Sequence, residues 1–181
     1  RFKLGVAYYQ LNRIDEALKE WEIAVSLDPQ NYEVLHNLGI AYYNKGEDMR
    51  AIDYWEKCLD VRGHDPEIHF KLGIAYYNLG KEDQAISLWE KAANLNPEDA
   101  DIFFRLGVAY YNKGLDDKSV IAFSKAIELN PNDANALTRV GLCLAKVGRA
   151  EEGLAAARRA IEFIDKQLAE ARHLAAEEDH M

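Results

Sequence analysis

The dipeptide Leu-Gly stands at Leu4-Gly5, Leu38-Gly39, Leu72-Gly73 and Leu106-Gly107, with Val140-Gly141 as a fifth echo, and the spacing is 34 residues each time. A fixed period in that range marks one supersecondary unit stacked on itself rather than a single globular core. Such stacks offer long surfaces to partners and seldom carry out chemistry.

The third copy, from Pro66 to Asp99, gives the plan of a unit. Asp65 suits a helix N-cap and Pro66 the first helical position. Ile68, Leu72, Ala75, Tyr76 and Leu79 then recur at the spacing of a wide buried helical stripe. Gly80 closes that helix. A second helix carries Ala85, Ile86, Trp89, Ala92, Ala93 and Leu95 inward, and Asn96-Pro97 stops it. The punctuation recurs in register: caps at Asn31, Asp65, Asp99 and Asp133; closures at Asn12, Gly46, Gly80, Gly114 and Gly148; stops at Pro29, Gly63, Pro97 and Pro131. Two short helices joined by tight turns lie antiparallel, and neither buries its stripe alone.

The motif Leu72-Gly73, Tyr76, Ala85, Trp89, Ala92, Pro97 returns as Leu4-Gly5, Tyr8, Ala17, Trp21, Ala24, Pro29, then as Leu38-Gly39, Tyr42, Ala51, Trp55, Cys58, and finally as Leu106-Gly107, Tyr110, Ser119, Phe123, Ala126, Pro131. In this pattern the chain resembles the tetratricopeptide-repeat family. The resemblance implies an all-α fold, a right-handed α-solenoid of stacked antiparallel helix pairs. It divides the chain into a repeat domain over 1–165, with repeats at about 1–31, 32–65, 66–99, 100–133 and 134–165, and a C-terminal helical extension or cap over 166–181. The fifth repeat departs from the pattern, with Leu144, Gly153 and Ala157 at motif positions. Gly73 and Ala85 are expected to let the paired helices approach, and Trp89 to fill the gap between neighbouring units.

The same resemblance places the first helices along a concave groove that binds a protein or peptide. Subtracting the core stripe from each first helix leaves four rows. An apolar row runs Phe2, His36, Phe70, Phe104, with Val6, Ile40, Ile74 and Val108 one turn on. A tyrosine row runs Tyr9, Tyr43, Tyr77, Tyr111, and an amide row Gln10, Asn44, Asn78, Asn112. A mostly basic row runs Lys3, Asn37, Lys71, Arg105, Arg139. Repeated apolar and aromatic residues on a face that would otherwise be solvated mark a binding surface, and amides in register can bond a peptide backbone of any sequence. The alternative for the Val/Ile and tyrosine rows is packing between adjacent first helices. For the basic row it is i,i+4 pairing, Glu67 with Lys71 and Asp101 with Arg105. The two-carboxylate clamp of co-chaperone members of this family needs Lys at the Phe2 row and Asn at the Val6 row; this chain lacks it.

The formal net charge of −9 argues against nucleic acid, and no apolar run reaches the roughly 18 residues of a membrane span. Cys58 and Cys143 fall where other units carry Ala, which reads as buried free thiols rather than a disulfide. Such thiols are compatible with a reducing, cytoplasmic compartment and leave the localisation open. The chain opens at Arg1, partway into a repeat, so it reads as a fragment or processed form with any targeting signal upstream. His64, Asp65, Glu67 and His69 cluster at one turn, yet Asp65 serves as a cap and nothing completes a metal site. No nucleophile–base pair or phosphate loop appears, so neither catalysis nor a cofactor is expected. From Ala150 to Glu178 the punctuation lapses, and Leu154, Ala157, Ile161, Ile164, Leu168, Ala171 and Ala175 follow steps of three and four. That stripe is either a cap over the last unit or a dimer seam, and self-assembly of a scaffold is the second functional reading beside peptide binding.

Overall fold

The computed structural model describes the backbone of residues 1–178 and side chains through residue 172. The side chain of Ala175 in the expected stripe, and residues 179–181 of the expected extension, lie outside what the structure describes. Ten helices and no strands make up the described chain, an all-α solenoid of antiparallel helix pairs. The chain divides into two compact units, Arg1–Pro97 and Glu98–Met181.

The first unit holds three pairs: α1 (Phe2–Gln10) with α2 (Ile14–Leu27), α3 (Tyr32–Asn44) with α4 (Asp48–Val61), and α5 (Pro66–Asn78) with α6 (Glu82–Leu95). The expected caps form. Asn31 accepts from Val34 N at 3.2 Å, and Asp65 accepts from Glu67 N and Ile68 N at 3.0 and 3.2 Å. Gly80 turns the chain with φ +72°, and Asn12 does the same at +58°. Each reversal is locked by a six-residue backbone bond, Arg13 N to Tyr8 O and Lys81 N to Tyr76 O, both 2.9 Å. The second helices have no side-chain cap; instead acids fill their first turns, such as Asp15 and Glu16 or Glu82 and Asp83, where the helix dipole favours negative charge.

Within each pair a tryptophan lies flat on the glycine of the repeated dipeptide. A Cβ on Gly73 would fall inside 3.0 Å of Trp89 Nε1, Cδ1 and Cε2, and Gly39 stands in the same relation to Trp55. The indole N–H of Trp21 donates to Phe2 O at 3.2 Å and that of Trp89 to Phe70 O at 3.1 Å, whereas Trp55 Nε1 is buried without a partner. The Trp89 ring is thus seated on Gly73 of its own pair, because only a hydrogen at that position leaves room for it.

Successive pairs are joined by contacts that the motif did not reveal. Tyr42 donates to the Glu22 carboxylate and stacks parallel on Tyr54 at 5.5 Å, with the Arg50 guanidinium 4.0 Å from its ring. One repeat later Tyr76 donates to Glu56 at 2.9 Å. Burial and the bond to Glu22 push the Tyr42 phenol up from its ordinary pKa. Cys58 is free and fully buried, and burial pushes its thiol up to about 12.

The second unit holds α7 (Ala100–Asn112) with α8 (Asp116–Leu129) and α9 (Ala134–Lys146) with α10 (Ala150–Glu178). Asp99 and Asp133 cap α7 and α9. Phe123 takes the tryptophan's place against Gly107, fully buried. Ser119 stands where earlier pairs have Ala, and its hydroxyl is satisfied by donating to Gly107 O at 2.8 Å. Cys143 is free and buried. Helices α9 and α10 cross at two glycines: a Cβ on Gly153 would lie 2.6 Å from Gly141 O, and one on Gly141 2.9 Å from Gly153 O. α10 runs unbroken through residues 165–166 and at 29 residues far outreaches the 13 of α9.

Candidate functional site

On the first unit the candidate residues fall into three groups. Tyr43, Asn44 and Lys71 converge with Ile40, Ile74 and Trp55 on a cleft of about 150 Å³ between α3 and α5. Its walls are aliphatic and aromatic, with one amide and one ammonium on the lining. Trp55 is fixed against Gly39, and Tyr43 leans on it at 5.8 Å with the rings tilted by 40°. The cleft is therefore an outgrowth of the packing that holds the pair together.

A second group sits beside the cleft without lining it. His36 stacks on Tyr32 at 5.9 Å, and its Nε2 lies 3.5 Å from the Glu67 carboxylate without a hydrogen bond. Burial lowers its pKa, and nearby Lys71 adds to that, while Glu67 opposes both. Glu67 also takes Lys71 at 3.4 Å, the i,i+4 pair anticipated from the spacing. Phe70 and Phe2 are half-buried, and their carbonyls receive the tryptophan N–H groups.

A third group is occupied internally. Tyr9 and Tyr77 tilt onto Trp21 and Trp89 at 5.7 and 5.6 Å. The Asn44 amide donates to the Tyr9 hydroxyl, so the amide and tyrosine rows bond each other between successive helix pairs of the first unit. Asn37 turns back to its own helix, donating to Glu33 O at 2.7 Å. Asn78 is exposed.

On the second unit Phe104 meets Phe123 edge-on at 5.6 Å, and Tyr111 lies under Lys146 Nζ at 5.1 Å. Lys146 in turn bonds Asp116 at 2.8 Å. Asn112, Arg105 and Arg139 are exposed. No ion pair joins Asp101 to Arg105 among the described residues, so the pairing expected there is absent and Arg105 projects unpaired.

The His64–His69 turn is spoken for by structure. The Asp65 carboxylate caps α5 and accepts from Tyr32, and His69 Nδ1 lies 2.8 Å from Asp65 O. No helix among the described residues is long and apolar enough to cross a membrane.

Family comparison decides the class. A model described as TPR repeat matches residues 5–46 and 75–114, and three described as Tetratricopeptide repeat match 33–63, 100–133 and 122–155. The chain belongs to the tetratricopeptide-repeat family. Comparison with curated protein sequences returns no match. Among solved structures, this tetratricopeptide-repeat chain is similar to MamA, at 27% identity and TM-score 0.87, over 91% of this chain and 96% of that one. MamA from Desulfovibrio magneticus RS-1 aligns at 21% identity and TM-score 0.84, over 91% and 93%. YrrB, described as a TPR protein with an unusual peptide-binding site, aligns at 23% identity and TM-score 0.79, over 90% and 84%. Membership of the tetratricopeptide-repeat family supports a protein–protein interaction scaffold.

Proposed function

We propose that the chain captures a peptide segment of a partner protein on the exposed face of its first helices. The cleft between α3 and α5 carries this reading. It combines an apolar floor of Ile40, Ile74 and Trp55 with the Asn44 amide and the Lys71 ammonium. A cleft of that size takes one aliphatic side chain, and the amide and ammonium are placed for a backbone carbonyl or a carboxylate beside it. Phe70, Tyr77 and Asn78 extend the same face on the first unit. Phe104, Arg105, Tyr111, Asn112 and Arg139 supply the corresponding rows on the second. The net charge of −9 disfavours a polyphosphate ligand, and the reading requires neither cofactor nor metal.

Peptides selected from a displayed library on the wild-type chain test it. Binding measured by fluorescence anisotropy should weaken at least about tenfold in Ile74→Asp and in Lys71→Glu, with far-UV circular dichroism unchanged. Selected peptides that bind both variants as well as wild type would sink the reading. Self-association is a second reading, favoured by the uncovered stripe on α10.

A further inference from the structure

The expected stripe on α10 does not lie on α9. Contact with α9 is made by the small residues Gly153, Ala156 and Ala160, whose lack of bulk lets the two axes close at Gly141. Leu154, Ile161, Ile164 and Leu168 are 54, 58, 44 and 49% exposed. Three positions equivalent to Leu154 in earlier pairs, Leu18, Ile52 and Val120, are 5, 3 and 7% exposed in helices that each have a following first helix against them. α10 has none among the described residues. Its stripe is thus a face that the fold elsewhere covers with a helix.

We propose that the helix covering it is α10 of a second copy, running antiparallel. With Leu154, Ile161 and Leu168 as one set of seam positions and Ala157, Ile164 and Ala171 as the other, one antiparallel register sets Ile161 against the partner's Ile164. The same register sets Leu154 against the partner's Ala171 and Ala157 against the partner's Leu168. Every large side chain at the ends then meets a small one, as close packing of a seam requires. A parallel pairing would put Leu on Leu and Ala on Ala.

Charge selects the same register. Flanking the stripe at seven-residue intervals stand Glu151, Arg158, Asp165 and Arg172, alternating in sign. None of the four makes an ion pair among the described residues, although Arg149–Glu152 and Lys166–Glu170 on the same helix do, at 2.7 and 4.0 Å. In the antiparallel register just given, Glu151 faces the partner's Arg172 and Arg158 faces the partner's Asp165, and the two-fold axis repeats both pairs. A one-heptad slip in one direction opposes Arg158 to the partner's Arg172 and Asp165 to itself. A slip in the other opposes Glu151 to the partner's Asp165 and Arg158 to itself. Exposed pairs of this kind add little affinity but penalise wrong registers. On the other flank Gly153 and Ala160 are buried on α9 and Gln167 is uncharged, so a parallel partner finds no charge there to meet.

Sedimentation equilibrium of the intact chain, from micromolar to millimolar concentration, is the test. The expected result is a reversible monomer–dimer equilibrium. Ile161→Asp should be monomeric at every concentration with unchanged helicity, because its side chain is exposed in the monomer. Arg158→Glu should weaken the dimer about tenfold or more, as should Asp165→Arg. The double variant Arg158→Glu with Asp165→Arg should restore it, and an equimolar mixture of the two single variants should form the heterodimer. A wild-type chain that stays monomeric throughout overturns the proposal. So does a dimer indifferent to Ile161→Asp, or a double variant that fails to recover association.

Discussion

Replacing Gly73 by alanine sets two effects of opposite sign against each other, and the geometry says which prevails. Alanine in a helix interior is favoured over glycine by about 1 kcal/mol, so an unobstructed site would gain stability. At Gly73 the new methyl falls inside 3.0 Å of three atoms of the Trp89 ring, which is 1% exposed and has nowhere to retreat. Overpacking of this kind costs about 1–3 kcal/mol. Displacing the indole also breaks its 3.1 Å bond to Phe70 O and strands a buried donor, a further loss of about 1–3 kcal/mol. The net expectation is a destabilisation of about 3 kcal/mol, or about 6–12 °C in Tm for a chain of this length. Gly39→Ala provides the internal comparison. The clash with Trp55 is equally close, but Trp55 Nε1 has no bond to lose, so the cost should be only about 1 kcal/mol. Urea unfolding followed by tryptophan fluorescence and by circular dichroism measures both variants. If Gly73→Ala proves neutral or stabilising, or if Gly39→Ala costs as much as Gly73→Ala, the account of the glycine–indole seat is wrong.

Gly80 has open space around it and φ +72°, so Gly80→Ala should cost only the left-handed backbone penalty, about 1–2 kcal/mol by thermal unfolding, and Gly80→Asn clearly less, since Asn12 already occupies that conformation. The pKa of His36 is lowered chiefly by burial. The unfolded chain therefore takes up the proton first, and stability should fall as pH drops below about 6.5; His36→Phe should flatten that acid limb in pH-dependent urea titrations, and an unaltered limb would assign it to other groups. Cys58 and Cys143 are fully buried and the Cys58 thiol is raised to about 12, so a disulfide-exchange reagent should label neither in the native chain and both in urea; prompt native labelling would contradict the packing.

Helix ends were readable from the sequence because caps and reversals act locally. Asn31, Asp65 and Asn12 do in the structure what their residue types dictate at those positions. Side-chain partners were less readable, since spacing names a face but not its neighbour. The Leu-Gly signal announced the close approach of the paired helices, and the group that makes it is the ring of Trp89. On α10 the strongest apolar period pointed away from α9, because Gly153 and Ala160 allow a nearer crossing than leucines would. The rows on the first helices were legible as repeated residue types. What the sequence withheld was that Tyr9, Tyr43 and Tyr77 rest on tryptophans and that Asn44 bonds Tyr9, while Asn37 bends back on its own helix. The Tyr42–Glu22 and Tyr76–Glu56 bonds did leave a trace, a constant offset of 20 residues between tyrosine and glutamate, visible only once the stacking of pairs is known.

Those two tyrosine–glutamate joints carry a consequence for how such a chain changes over time. The joint of α3 with α2 and that of α5 with α4 share one plan, a tyrosine bonded to a glutamate, with Leu18 of α2 and Ile52 of α4 at the same station. A block of 34 residues excised or duplicated between these two joints therefore leaves edges that can form the same tyrosine–glutamate bond. Reach along a partner thus becomes a quantity inherited in whole steps, adjustable by one recombination event, while point substitutions on the outward rows remain free to alter what is held.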